Sequence, residues 1–235
     1  MGKYQIAGLT VDFQNQYSHL EMLCKDYLCQ DNSLPEITIR VSQEEIEKEN
    51  TLSQGQFPPG YLESICAYRR FCLEMLKFDG MFFHSAVIQV NGKGIAFSAV
   101  SGTGKTTHLR LWQEMLGEEL IVVNGDKPIV RYEDGIPYAY GTPWAGKENL
   151  HTNTKTPLTD ICFLERSAHN FVEPLQPGDC IAPFMQQIVR PNTPFAAMKT
   201  LELADKLLKD CRLWRLGCNM EIDAAQTAYT AIFGT

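Results

Sequence analysis

No two of the eight cysteines in this chain stand in Cys-x-x-Cys spacing, and most lie in apolar stretches. A disulfide framework and a paired-thiolate metal site are therefore disfavoured, and buried free thiols in a reducing compartment are the better reading. A basic run is missing too: the formal net charge is -7 and the pI is about 5.3, so nothing neutralises a phosphodiester backbone and nucleic acid is not an expected partner. No apolar run is long enough to span a bilayer, and the opening Met-Gly-Lys-Tyr-Gln has no apolar signal core behind its charge. The expectation is a cytoplasmic protein with no membrane partner. Internal repeats and low-complexity tracts are also lacking, which excludes solenoids.

What is present is an ordinary globular balance over 235 residues, with 44% hydrophobic and 21% charged residues. Residues 3–13 alternate as a strand or hairpin around Gly8, residues 17–29 have helical spacing, and residues 35–41 alternate again. With the charged segment after Glu44 and an amphipathic helix opened by Pro58-Pro59-Gly60 and closed by Asp79-Gly80, these predict a small α+β unit over residues 1–79. The remainder, 80–235, reads as a second unit. There the β-rich run 81–90 is joined through Asn91-Gly92 to the run 94–99, the strongest short hairpin signal a sequence offers. Residues 120–123 form a further strand, residues 129–132 and 136–140 a second hairpin, and residues 158–165 a buried strand. Then come a Pro-interrupted loop at 171–180, helices at 182–189 and 195–209, a strand at 211–216 and a last helix at 222–233. The fold class is α/β in the mixed α+β sense, with a largely antiparallel sheet.

The stretch Ala99-Val-Ser-Gly-Thr-Gly-Lys-Thr-Thr107 lies between an apolar strand and a helix-like segment, the context a phosphate-binding loop requires. Gly102 and Gly104 let the backbone curl so that amide N–H groups point inward at phosphate oxygens. Ser101, Gly102, Thr103, Gly104, Lys105, Thr106 and Thr107 are thus the candidate nucleotide contacts. Lys105 would reach the β and γ phosphates, and the Thr106 hydroxyl would coordinate Mg²⁺. The usual pattern opens with glycine where Ala99 stands, so the motif is relaxed. A bare Gly-rich turn explains the glycines but not a lysine followed by two hydroxyl residues. Past the next strand, Asp126 in Asn124-Gly-Asp-Lys-Pro128 is placed to complete the metal site, against the plainer reading of a solvated turn acid.

These residues resemble the superfamily of HPr kinase/phosphorylase and ATP-dependent phosphoenolpyruvate carboxykinase. Ser101-Gly-Thr-Gly-Lys-Thr-Thr107 is similar to the carboxykinase loop, and Phe83-His84-Ser85 to the His-Gly preceding the kinase loop. Thr107-His-Leu-Arg-Leu-Trp112, Asn124-Gly-Asp-Lys-Pro128 and Gly141-Thr-Pro-Trp-Ala-Gly-Lys147 resemble signatures of small bacterial HPr kinase-like proteins. The resemblance implies a P-loop kinase that uses ATP and Mg²⁺ on a hydroxyl, a serine for preference, of a small molecule, peptide or protein. It also implies that Arg190, in Ile188-Val-Arg-Pro-Asn192, steadies the transferring phosphoryl group. Two adjacent aspartates of the kinases are reduced here to Gly125-Asp126, so the general base is open among Asp126, His84 and Glu148. Trp144 and Lys147 are candidates to line the acceptor pocket, with simple packing the plainer role for the tryptophan. The lysine, histidine and arginine set of carboxykinase chemistry is not found, nor are HPr-docking elements. A catalytically reduced ATP-binding regulator or assembly partner is the alternative, and a homo-oligomer is compatible with either reading.

Overall fold

The computed structural model describes residues 2–30 and 33–234. The chain begins with the hairpin β1 (Gly2–Ile6) and β2 (Leu9–Phe13), whose reversal at Ala7-Gly8 takes positive φ at both residues. A short helix α1 (His19–Leu23) follows, and β3 (Ile37–Ile39) then pairs parallel with β2 to finish a three-stranded sheet. The helix expected over 17–29 is thus cut to one turn and a 3-10 turn, Lys25–Tyr27. Helix α2 (Gln43–Leu52) opens on a capping box between Ser42 and Glu45, in which each residue satisfies a backbone N–H of the other. Helix α3 (Pro59–Met75) begins with proline inside its first turn, where the missing N–H costs nothing.

After β4 (Gly80–Phe82) the expected run 81–90 breaks at Phe83-His84-Ser85 before resuming as β5 (Ala86–Val90). The Asn91-Gly92 turn, with positive φ at both residues, leads antiparallel into β6 (Lys93–Ser98). The phosphate-type loop follows, and helix α4 (Lys105–Leu116) starts at the lysine itself, earlier than the periodicity suggested. Next are β7 (Ile121–Asn124) and the hairpin of β8 (Ile129–Glu133) with β9 (Ile136–Tyr140). The long strand β10 (Lys155–Arg166) pairs antiparallel with β9 at its start and parallel with β6 further on. The large sheet runs β4-β8-β9-β10-β6-β5-β7 and is largely antiparallel, but the strand feeding the loop has one parallel neighbour in β10.

The segment 171–180, expected as loop, is instead β11 (Phe171–Pro174) followed by helix α5 (Pro177–Met185). Pro177 sits in the first turn of that helix, so the prolines punctuate the segment without preventing structure. Helix α6 (Pro194–Asp210), β12 (Arg212–Cys218) and helix α7 (Ile222–Phe233) complete the chain. β12 lies parallel to β10 and antiparallel to β11. Of the hydrophobic clusters, one joins the small sheet and α3 to Ile129, Tyr140 and Trp144, so residues from both sides of position 79 share it. Among the described residues no helix is long and apolar enough to cross a membrane.

Candidate active site

The loop from Ala99 to Gly104 turns on its two glycines, with φ of +82° at Gly102 and +128° at Gly104. A side chain at either would meet open space, so backbone conformation and not crowding demands glycine there. Gly104 is the N-cap of α4, and the first N–H groups of that helix have no acceptor within it. Arg166, at the end of β10, donates from Nη2 to the carbonyl of Gly102 (2.6 Å) and from Nε to that of Thr103 (3.3 Å). Because β10 runs parallel to β6, its last residue emerges beside the loop. These contacts tie the loop carbonyls to the end of β10, while the Thr103 N–H donates back to the Val100 carbonyl (3.1 Å).

Lys105 is 8% exposed and sits in the first turn of α4, the end of a helix whose dipole disfavours a cation. Its Nζ donates to the carbonyl of Ala99 at 3.0 Å, and it forms no ion pair among the described residues. Burial pushes the ammonium below its ordinary pKa; the charge of Asp126 opposes that, and Lys127 adds to it. Ser101 and Gly102 are exposed, while Thr103, Thr106 and Thr107 are half-buried beside it.

Across the site, Asn124 at the end of β7 organises the acidic turn. The residue is 0% exposed, and its Oδ1 accepts from the backbone N–H groups of Asp126 (2.9 Å) and Lys127 (2.7 Å). Its Nδ2 donates to the carbonyl of Thr142 (3.0 Å), and Thr142 Oγ1 in turn donates to the carbonyl of Lys127 (2.7 Å). Gly146 lies flat against the turn: a Cβ there would come within 3.0 Å of Asp126 Oδ2.

His84 occupies the break between β4 and β5. Its backbone N–H donates to the carbonyl of Gln187 (2.7 Å), its Nδ1 pairs with Gln187 Oε1 (2.8 Å), and its Nε2–H donates to Asp126 Oδ1 (3.0 Å). Phe82 stacks on the imidazole. Burial alone would raise the Asp126 carboxyl, but hydrogen bonds from His84 and Lys127, with the charge of Lys127, hold it well below the usual carboxylate range. The lysine ammonium contacts Oδ2.

His84 and Asp126 are therefore brought together. Arg190 is exposed, three positions beyond Gln187, and Glu148 is exposed and paired with Arg110 of α4. Trp144 is packed among Phe13, Tyr68 and Phe71, which is a core position. Lys147 beside it is exposed. The structure adds Gln187, Arg166, Gly146 and Lys127 to the residues that line or brace the site. An Asx-type turn is legible in Asn124-Gly-Asp126, but nothing local marks the other partners.

For a divalent cation the fitting donors are the Asp126 carboxylate and the Thr106 hydroxyl, hard oxygen ligands of the type Mg²⁺ prefers, and an ammonium already stands at one carboxylate oxygen. Among the described residues no group of three or more His, Cys, Asp or Glu forms a metal cluster. Magnesium held largely by phosphate oxygens does not require one.

No protein-family model matches the chain, and no curated protein matches it. Among solved structures it is similar to that of the Hpr(Ser) kinase/phosphatase from Coxiella burnetii, with 11% identity over 54% of this chain and 91% of that chain. The TM-score is 0.31, a distant likeness that carries no argument about chemistry.

Proposed function

We propose that this chain is a Mg-ATP-dependent kinase that transfers the γ phosphate to a hydroxyl, a serine for preference, of a small molecule, peptide or protein. The observation that carries the reading is Lys105: a buried cation at the unfavourable end of a helix, which donates to a backbone carbonyl and has no ion pair among the described residues. Such an arrangement costs stability and is relieved by a polyanion at the loop.

In this reading the amides of residues 101–107 bind the phosphates, and Lys105 turns from Ala99 to their oxygens. Thr106 and Asp126 hold a divalent cation, which supplies charge neutralisation when bound. The acceptor oxygen forms a bond to the γ phosphorus as the bond to the bridging oxygen breaks, and Asp126 accepts the hydroxyl proton. A loose phosphoryl-transfer transition state lets that proton leave late, so a weak base suffices. His84, whose Nε2 lies 3.0 Å from Asp126 Oδ1, is assigned to orient the carboxylate. Arg190 is assigned to the transferring phosphoryl group.

The alternative is an ATP-binding regulator without turnover, favoured by the single carboxylate and the engagement of both its oxygens. Calorimetry with Mg-ATP is expected to give binding to the native chain and at least about a hundredfold weaker binding to Lys105→Met. No heat with the folded native protein would end both readings. Radiolabel transfer from ATP to serine-bearing acceptors separates them.

A further inference from the structure

Asp126 is not a free carboxylate. Oδ1 accepts from His84, and Oδ2 is held by the ammonium of Lys127. Of these two partners, His84 is the fixed one, tied to Gln187 through both its backbone and its ring. Lys127 is pinned only along its backbone: its N–H donates to Asn124 Oδ1 and its carbonyl accepts from Thr142 Oγ1, both at 2.7 Å. Its side chain is 34% exposed, on a flexible four-carbon stem, so the ammonium can leave while the turn stays.

The field of Lys127 also reaches Lys105. Two lysine ammoniums, Lys105 and Lys127, and one carboxylate, Asp126, thus act on one another's charge. Such a site is short of negative charge, and a polyphosphate supplies it.

We infer that Lys127 is a resident counter-ion: it occupies the cation position at Asp126 Oδ2, keeps bare divalent ions out, and passes to phosphate oxygens when nucleotide and metal arrive together. The last step rests on the kinase reading. The exclusion of bare metal rests on the ion pair alone. Lys127 is a positioning residue in this scheme, acting through the carboxylate.

The test is a titration of the full chain with Mn²⁺ in the absence of nucleotide, read from the electron paramagnetic resonance of the free ion. Lys127→Gln is expected to bind Mn²⁺ about tenfold or more tightly than the native chain. Lys127→Arg should behave as native, and adding Asp126→Asn to Lys127→Gln should erase the gain. Lys127→Met repeats the charge removal with a side chain of similar length. In a second arm, metal-free ATP should bind Lys127→Gln about tenfold more weakly than native protein. Equal Mn²⁺ affinity in native and Lys127→Gln protein, or a gain that survives Asp126→Asn, overturns the inference. Loss of packing alone would not create a metal site, so a gain cannot be attributed to it. If no form binds ATP but the Mn²⁺ gain is present, the kinase reading falls and the counter-ion role stands. If native protein binds Mg-ATP and the Mn²⁺ affinities are equal, the reverse holds.

Discussion

Asn124 uses its side-chain amide as a junction. One oxygen takes two backbone N–H groups of the acidic turn, and the nitrogen reaches the carbonyls of Thr142 and Trp144. The Asn124 side chain has no solvent access, so its amide has no water to fall back on. Asn124→Ala is therefore expected to lower stability by about 2–4 kcal/mol, read as a shift in the urea midpoint with unchanged slope. Less than about 0.5 kcal/mol would mean that the turn holds itself. The same residue shows what a linear reading can and cannot reach. Asn-Gly-Asp after an apolar strand announces a turn with a carboxylate, and Gly-Thr-Gly-Lys announces a loop with a cation, because their cause is local backbone chemistry. Gln187 lies 103 positions from His84, and Arg166 reaches back 64 positions to Gly102. No periodicity or turn residue encodes such partners; they follow from β10 running parallel to β6 and from α5 returning to the break after β4.

At the scale of the element, helix α4 joins the loop to the core through His108 and Trp112. The indole N–H of Trp112 donates to His108 Nε2 at 2.9 Å, so that nitrogen is an acceptor and the ring is neutral. Both residues are buried, and the Nδ1 of His108 has no partner among the described residues. Burial lowers the His108 pKa to about 4. In the unfolded chain an ordinary histidine protonates near 6.5, so between those values the unfolded state holds the extra proton. Stability from this group is present above about pH 6.5 and falls with pH until the folded value is passed, by up to about 3 kcal/mol. His108→Gln keeps an acceptor for the indole but does not titrate. Its unfolding free energy is expected to lose this pH dependence between about 6.5 and 4; a slope equal to the native one would place the acid sensitivity elsewhere. Elements with strong periodicity, such as α3 and α6, were legible because their buried faces recur at helical spacing. Segment 171–180 reads as a loop because of its prolines, whereas one of them starts a helix.

For the whole molecule, the question is whether residues 1–79 and 80–235 can part. Trp144, from the loop beside Asp126, has its ring centroid 4.8 Å from that of Tyr68 and 5.9 Å from those of Phe71 and Phe13. Arg131 of β8 donates to the carbonyls of Phe78 (3.1 Å) and Ala7 (3.2 Å), and Tyr27 Oη pairs with His151 Nδ1 at 3.0 Å. His151 in turn bridges to Asn124, the junction of the acidic turn. Removing residues 1–79 would strip the cover from Ile129, Tyr140 and Trp144 at once, and large aromatic side chains lose about 3–5 kcal/mol each when comparable packing is taken from them. That sum approaches the whole stability of an ordinary domain. A fragment of residues 80–235 is accordingly expected to show no cooperative urea transition and poorly dispersed amide resonances, while the full chain unfolds in one step. A cooperative transition in the fragment, with Trp144 fluorescence as blue-shifted as in the full chain, would show instead that the loop beside Asp126 is held in place without the first three strands and α3.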